Sequence, residues 1–172
     1  MSITVKKLSK RYLSADGKET VVFKDFSAEF QDGKVTAVLG PSGVGKSTLL
    51  NCIGRLTPFD GEIIGANEVA YVFQDDRLIP HKTVYGNIEF TLPETSKEEK
   101  AARIKNVLET VEMTDKASAF PDELSGGQKK RVSLARAFAA KKNVILLDEP
   151  FSSLDLALKS RISADFAAML EY

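Results

Sequence analysis

The nine residues Gly40-Pro41-Ser42-Gly43-Val44-Gly45-Lys46-Ser47-Thr48 constrain this chain more than any other stretch. They fit the pattern G-x-x-x-x-G-K-[ST], which signifies a phosphate-binding loop when it joins a strand to a helix. Both flanks predict that context. Val35-Thr36-Ala37-Val38-Leu39 is apolar and reads as a buried strand, and Thr48-Leu49-Leu50-Asn51-Cys52-Ile53 reads as a helix. Glycines let successive N–H groups turn inward, which makes a concave anion site at a helix N-terminus. In such a loop Lys46 reaches the β- and γ-phosphates and the Ser47 hydroxyl ligates Mg²⁺. The competing reading is an ordinary glycine-rich turn, which does not require Lys-Ser-Thr at that spacing. The stretch is read as a nucleotide site.

At 172 residues the chain can bury one substantial core, and two independent domains would be a squeeze. Its 24 basic and 24 acidic residues cancel, so there is no electrostatic case for wrapping nucleic acid. The single cysteine, Cys52, excludes an internal disulfide framework and fits a reducing compartment. Its neighbours Leu49, Leu50 and Ile53 make a buried structural thiol the expectation. The first residues, MSITVKKLSKRY, carry no apolar signal region, and no apolar run approaches the length of a membrane span. Any membrane role is therefore expected to come through a partner.

Along the chain, residues 2–6, Val21-Val22-Phe23 and Phe26-Ser27-Ala28-Glu29-Phe30 read as short strands. With the turn Gln31-Asp32-Gly33 they predict an antiparallel layer ahead of the phosphate loop. Tyr12, followed by a polar loop over Ser14 to Thr20, is either a stacking surface for a purine ring or a packing and rim residue. Glu62-Ile63-Ile64 and Val69-Ala70-Tyr71-Val72-Phe73 read as further strands, the second ending at Gln74-Asp75-Asp76. The pattern then turns helical. Thr83 to Phe90 is one short helix, and Ser96 with Glu99 forms a capping box for a second. In that second helix Ile104, Val107, Leu108 and Val111 recur at helical spacing. A third helix follows Ser125, with Val132, Leu134, Ala135 and Phe138 as its apolar members; Lys129 and Lys130 are adequately read as a solvated basic face. A helix from about Leu156 places Leu158, Ile162, Phe166 and Leu170 on one buried face.

Val144-Ile145-Leu146-Leu147 is too short for a helix and reads as a buried strand ending in Asp148-Glu149-Pro150. An acid at the carboxyl end of a parallel strand lies where open α/β sheets bind ligands. Asp148 can hold Mg²⁺ there. Glu149, pointing the other way if the backbone is extended, can orient or deprotonate a water. Leu124-Ser125-Gly126-Gly127-Gln128 is a second helix N-terminus, with a hydroxyl and two glycines, and hence a second anion site.

Taken together, these motifs resemble the ATPase subunit of ABC transporters over essentially the whole chain. The matches are Gly40–Thr48 (Walker A), Gln74 in YVFQD (Q-loop), LSGGQKKR from Leu124 to Arg131 (signature), VILLDE from Val144 to Glu149 (Walker B) and SSLD from Ser152 to Asp155 (D-loop). The resemblance implies an α/β P-loop NTPase fold with a mostly parallel core sheet, flanking helices, an N-terminal antiparallel β layer and a helical subdomain. It implies one domain over 1–172, with the core and β layer about 1–75 and 141–172 and the helical part about 76–140. It further implies that Gly40, Pro41, Ser42, Gly43, Val44, Gly45, Lys46, Ser47 and Thr48 hold the phosphates of ATP and that Tyr12 stacks on adenine. Ser47, Gln74 and Asp148 would surround Mg²⁺, and Glu149, Gln74 and Lys46 would form the catalytic set. Ser125, Gly126, Gly127 and Gln128 would close on the γ-phosphate held by a second copy in a head-to-tail dimer.

The implied partners are that second copy, transmembrane permease subunits and a substrate-binding protein, with the chain peripheral on the cytoplasmic face of the inner (plasma) membrane. The short stretch between Gly61 and Gln74 resembles the importers of the nitrate, sulfonate and taurine group. One departure concerns a switch histidine, which the family carries on a strand beyond the final helix. The only histidine here is His81, a surface-loop residue in the wrong place, so slow turnover is expected of this chain. Two alternatives remain: a soluble ABC ATPase acting on DNA or ribosomes, and a nucleotide-sensing module that does not hydrolyse. Intact Glu149 argues against the second. A small-molecule kinase would share the phosphate loop but has no use for LSGGQ.

Overall fold

The structure, a computed structural model, describes residues 2–150. The helix expected from about Leu156 and the SSLD motif lie outside the described residues. Internal contacts divide the chain into two units, one up to Val69 and one from Ala70 onward.

The first unit is built on an antiparallel sheet. Strand β1 (Ile3–Leu13) pairs with β2 (Glu19–Phe30) on one side and β3 (Asp60–Ile64) on the other. The expected hairpin layer is present, but the short runs merge. Arg11, Tyr12 and Leu13 continue β1, and Val21 to Phe30 belong to one strand. Register shifts between Val5 and Leu8, and again around Lys10, let β1 stay paired over that length. Ile3, Val5, Leu8 and Ile63 are buried, together with Leu49, Cys52 and Ile53 of helix α1 (Lys46–Ile53). Burial pushes the Cys52 thiol up, partly offset by the charge of Lys10, as expected of a structural rather than a reactive cysteine. Lys10 is itself buried, its ammonium donating to Thr57 Oγ1 at 2.8 Å and to the Pro58 carbonyl at 2.7 Å. The central strand is thereby tied to the chain that leaves α1.

The strand expected at 35–39 does not form. Those residues have no regular structure, and Val35 and Leu39 are 69% and 88% exposed. A wholly apolar strand is stable when both faces are covered. Within the first unit β1 takes both of its neighbours from β2 and β3, and the run has no ladder partner among the described residues of its unit.

The second unit has a helical core. Helices α2 (Val84–Glu89), α3 (Lys97–Thr110) and α4 (Gly126–Ala139) pack on one another. They bury Val84, Ile88, Ile104, Val107, Leu108, Val132, Leu134 and Ala135 in one cluster. The Ser96–Glu99 capping box forms as expected, and Thr83 caps α2 by accepting from the Gly86 N–H. From α3, Arg103 donates to the Ala139 carbonyl at 2.6 Å and the Phe138 carbonyl at 3.1 Å, supplying partners for orphan carbonyls at the end of α4. Strands β4 (Val69–Val72) and β5 (Val144–Leu147) pair, and the Asp148 N–H continues the contact to the Val72 carbonyl at 2.9 Å. No helix among the described residues is long and apolar enough to cross a membrane.

Asn87 on α2 is fully buried and organises the irregular segment before it. Its amide oxygen accepts from the Ile79 N–H at 2.8 Å, and its amide nitrogen donates to the carbonyls of Ile79, Lys82 and Thr83. Asn87→Ala leaves the Ile79 N–H unmatched in a part-buried site, at a cost of about 1–3 kcal/mol. Urea denaturation monitored by circular dichroism should show a lower midpoint at unchanged slope, and an unchanged midpoint would remove Asn87 from this role.

Candidate functional site

The phosphate loop runs through exposed chain into α1. Gly43 and Gly45 adopt φ of +78° and +108°, values that side chains resist. At Gly45 space is an independent constraint: a Cβ would lie 2.6 Å from Val22 Cγ1 and 3.2 Å from the Phe23 ring. Lys46 is the first residue of α1, and its ammonium folds back to donate to the carbonyls of Gly40 and Pro41, both at 2.9 Å. Gly45, the N-cap, offers no side-chain cap, and the first turn contains no acidic residue. The amides at the start of this helix therefore face no competing carboxylate from its first turn, and a cation stands beside them. Ser47 and Thr48 follow in the first turn, both half-buried. The loop has the donor set and charge that fit a polyphosphate, with the Ser47 hydroxyl suited to a hard cation such as Mg²⁺.

Tyr12 stands on β1, 42% exposed, with the Lys10 ammonium 4.5 Å from its ring centroid. Pro41, Ser42 and Val44 are exposed in the loop itself.

In the second unit the signature residues form the start of α4. Ser125 is its N-cap, its hydroxyl accepting from the Gln128 N–H at 3.3 Å, while Gln128 Oε1 accepts from the Ser125 N–H at 2.9 Å. Ser-Gly-Gly-Gln is thus a capping box of the S-x-x-Q type, the same pattern read at Ser96 but unrecognised here at the sequence level. Gly126 has no positive φ, and a Cβ there would meet nothing within 4 Å. Nothing in the described chain requires glycine at that position. Gly127 follows it, half-buried, in the first turn.

The Gln74 side chain is exposed just beyond β4, while its carbonyl is held from α4. Lys130 Nζ donates to the carbonyls of Phe73 at 2.8 Å and Gln74 at 2.7 Å. Lys130 is 2% exposed, which corrects its assignment to a solvated face. The signal was available: Lys130 shares helical spacing with Leu134 and Phe138, so it falls on the apolar stripe. Asp76 lies 3.7 Å from the same ammonium, too far for a hydrogen bond but a close ion pair. Burial pushes the Asp76 carboxyl up, and the Lys130 charge pulls the other way.

Asp148 follows β5, half-buried, and its charge helps burial to push the Tyr71 phenol up, well clear of ionisation near neutral pH. Glu149 is exposed with φ of +47°. That corrects the extended backbone expected there, because the chain bends at Asp148–Glu149 and the two carboxylates do not simply alternate across a strand. The structure thus joins Lys46 to its loop, Ser125 to Gln128, and the Gln74 main chain to α4. His81 is exposed in the loop before α2, as expected.

Comparison with known proteins identifies the family. The model of the ABC transporter family matches residues 23–152. The sulfate/thiosulfate import ATP-binding protein CysA of Ralstonia nicotianae is 38% identical over 180 aligned residues, covering 94% of this chain and 47% of that protein. The arginine transport ATP-binding protein ArtM of Bacillus subtilis is 40% identical, covering 89% of this chain and 70% of that protein. Among solved structures, the dimeric bacterial ABC transporter cassette MJ0796 matches with a TM-score of 0.90 at 30% identity, over 98% of this chain and 83% of that one. A dimeric post-hydrolysis state of the same cassette, bound to ADP and Pi, matches equally well. The chain spans about half the length of the CysA relatives it matches. The expected fold class is therefore correct: this is the α/β P-loop architecture of an ABC cassette. With its phosphate loop, signature cap and acidic strand end all inside or beside the matched span, the chain belongs to the ABC transporter ATP-binding family.

Proposed function

We propose that this chain is the ATP-binding and hydrolysing subunit of a membrane importer, working as a head-to-tail pair beneath separate permease subunits at the cytoplasmic face. The single observation that carries the reading is the presence in one chain of two differently finished glycine helix starts. One is uncapped with Lys46 beside it, and the other, at Ser125, is capped and presents Gly126 without steric need of its own. A glycine that its own chain does not require is explained by close approach of something outside it, here the γ-phosphate bound to a second copy. The dimeric state of the related cassette supports the same arrangement.

In this reading the amides of Ser42 to Thr48 and the Lys46 ammonium bind the phosphates, and Tyr12 stacks on the base. To do so Lys46 exchanges the carbonyls of Gly40 and Pro41 for phosphate oxygens. Ser47, Gln74 and Asp148 would hold Mg²⁺, which when bound neutralises charge across the β- and γ-phosphates. Glu149, exposed just past the acidic strand end, takes the proton of the attacking water. The 1–172 span acts as one cassette, with about 76–140 as the helical part that meets the permease. Relatives named for sulfate/thiosulfate import support an importer of small oxyanions. The compact segment between Gly61 and Gln74 supports the nitrate, sulfonate and taurine group within that class. Expression with permease genes adjacent to its own, followed by uptake of labelled sulfate, taurine and nitrate, tests the substrate assignment.

Three substitutions test the mechanism. Lys46→Ala removes a charge-assisted contact worth about 1.5–3 kcal/mol, so the Kd for Mg-ATP should rise roughly 10- to 150-fold in calorimetry. Glu149→Gln should keep that Kd within about threefold while losing turnover and accumulating as a nucleotide-bound dimer. A variant eluting only as a monomer in Mg-ATP would count against the shared site. Gly126→Ala should leave the thermal midpoint unchanged or slightly raised, because a Cβ has room and glycine is a poor helix former. Turnover should nevertheless fall at least about tenfold, since a methyl group occupies the approach to the second copy's phosphate. Full activity in that variant would remove the signature loop from the site.

A further inference from the structure

Lys130 is a buried cation that the proposed mechanism does not use. It lies in the second turn of α4, one turn beyond the Ser125–Gln128 cap. Its ammonium has three donor positions. Two go to the consecutive carbonyls of Phe73 and Gln74, and Asp76 supplies the balancing charge at 3.7 Å. The sequence separation is more than fifty residues, so this contact bridges parts of the chain that have no covalent reason to move together. Burying an ammonium is expensive unless it is paired and hydrogen-bonded, and a methionine or leucine would fill the same volume without that cost. The arrangement makes sense if the contact holds a main-chain position that packing alone would leave free. The chain at Gln74 is such a position: it has left β4, has no helical hydrogen bonds, and exposes its side chain.

We propose that Lys130 is a positioning residue that locks the Gln74 main chain to the signature helix, so that the Gln74 side chain and the Ser125–Gln128 cap keep a fixed mutual geometry. A shift of either is then transmitted to the other through two carbonyl hydrogen bonds. The inference rests on the reading of the chain as an ATPase only for its catalytic consequence; the link itself is a property of the fold.

The test is Lys130→Met in the full 172-residue chain, by amide hydrogen exchange and by steady-state hydrolysis of Mg-ATP. The variant keeps the volume and removes the donors and the charge. Exchange across 73–77 should accelerate at least about tenfold, the scale of losing one or two charged hydrogen bonds, while α3 stays unchanged. The kcat should fall at least about tenfold with KM for ATP within about twofold, because the phosphate loop is untouched, and Lys130→Arg should restore most of kcat. Unchanged exchange at 73–77 overturns the link. Faster exchange with unchanged kcat, or equal loss in the arginine variant, overturns the positioning role. If the unsubstituted chain does not hydrolyse ATP, the proposed function fails, and the exchange measurement still decides the link. Should the methionine variant not fold, Lys130→Gln, which loses the charge and one of the three N–H donors on a side chain one bond shorter, is read by the same two measurements.

Discussion

Every α-helix begins with N–H groups that have no partner inside the helix, and the organisation of this chain turns on how each start is finished. Helices α2, α3 and α4 finish theirs internally, with Thr83, Ser96 and Ser125 accepting from the first turn and Glu99 and Gln128 reciprocating for the last two. Helix α1 does not. Its N-cap is a glycine in the left-handed region that offers no side-chain cap, its first turn holds no acidic residue, and Lys46 adds positive charge where other helices favour an acid. In the proposed function, what the N-cap leaves unmet becomes the means of gripping an anion. On that reading the starts of α2 and α3 are scaffold, the capped start of α4 faces a second copy, and Gly45 and Lys46 give α1 its own phosphate-binding start.

A second constraint acts on the main chain between β4 and α2. This stretch crosses from strand to helix without regular hydrogen bonds of its own, and side chains supply the fasteners. Lys130 takes the carbonyls of Phe73 and Gln74, Arg136 takes that of Arg77 at 2.7 Å, and Asn87 takes both main-chain groups of Ile79. Arg77 also lies over the Phe73 ring, 3.8 Å from its centroid. The side chains that hydrogen-bond this main chain come from α2 and α4, so the helical core does most of the fastening. A loop fastened in this way can be ordered and still leave the Gln74 side chain exposed.

Legibility followed the range of the interaction. The Ser96–Glu99 cap and the β1–β2 hairpin depend on residues near in sequence, and both were read from it. The phosphate loop was legible because its glycines, lysine and hydroxyls each answer a local demand, such as the positive φ of Gly43 and Gly45. Two features failed for want of distant information. The run 35–39 has strand composition, but pairing depends on partners distant in sequence, and neither edge strand of its unit's sheet, β2 or β3, pairs with it. Glu149 looked extended beside an apolar strand, yet its backbone turns at φ of +47° as the chain leaves β5.

Lys130 shows a different kind of failure, and it identifies what single-sequence reading undervalues. Residue type points to solvent and helical phase points to the core, and here phase is right. Phase describes where the backbone puts a side chain, whereas type describes only what it would cost to put it there. When the two conflict, the cost has to be offset by specific partners, and those partners are main-chain groups that no residue pattern displays. A charged residue on an apolar helical stripe therefore points to unseen carbonyls or carboxylates nearby. In this chain the carbonyls belong to Phe73 and Gln74, so the conflict between type and phase led to the segment that the family motif also singles out.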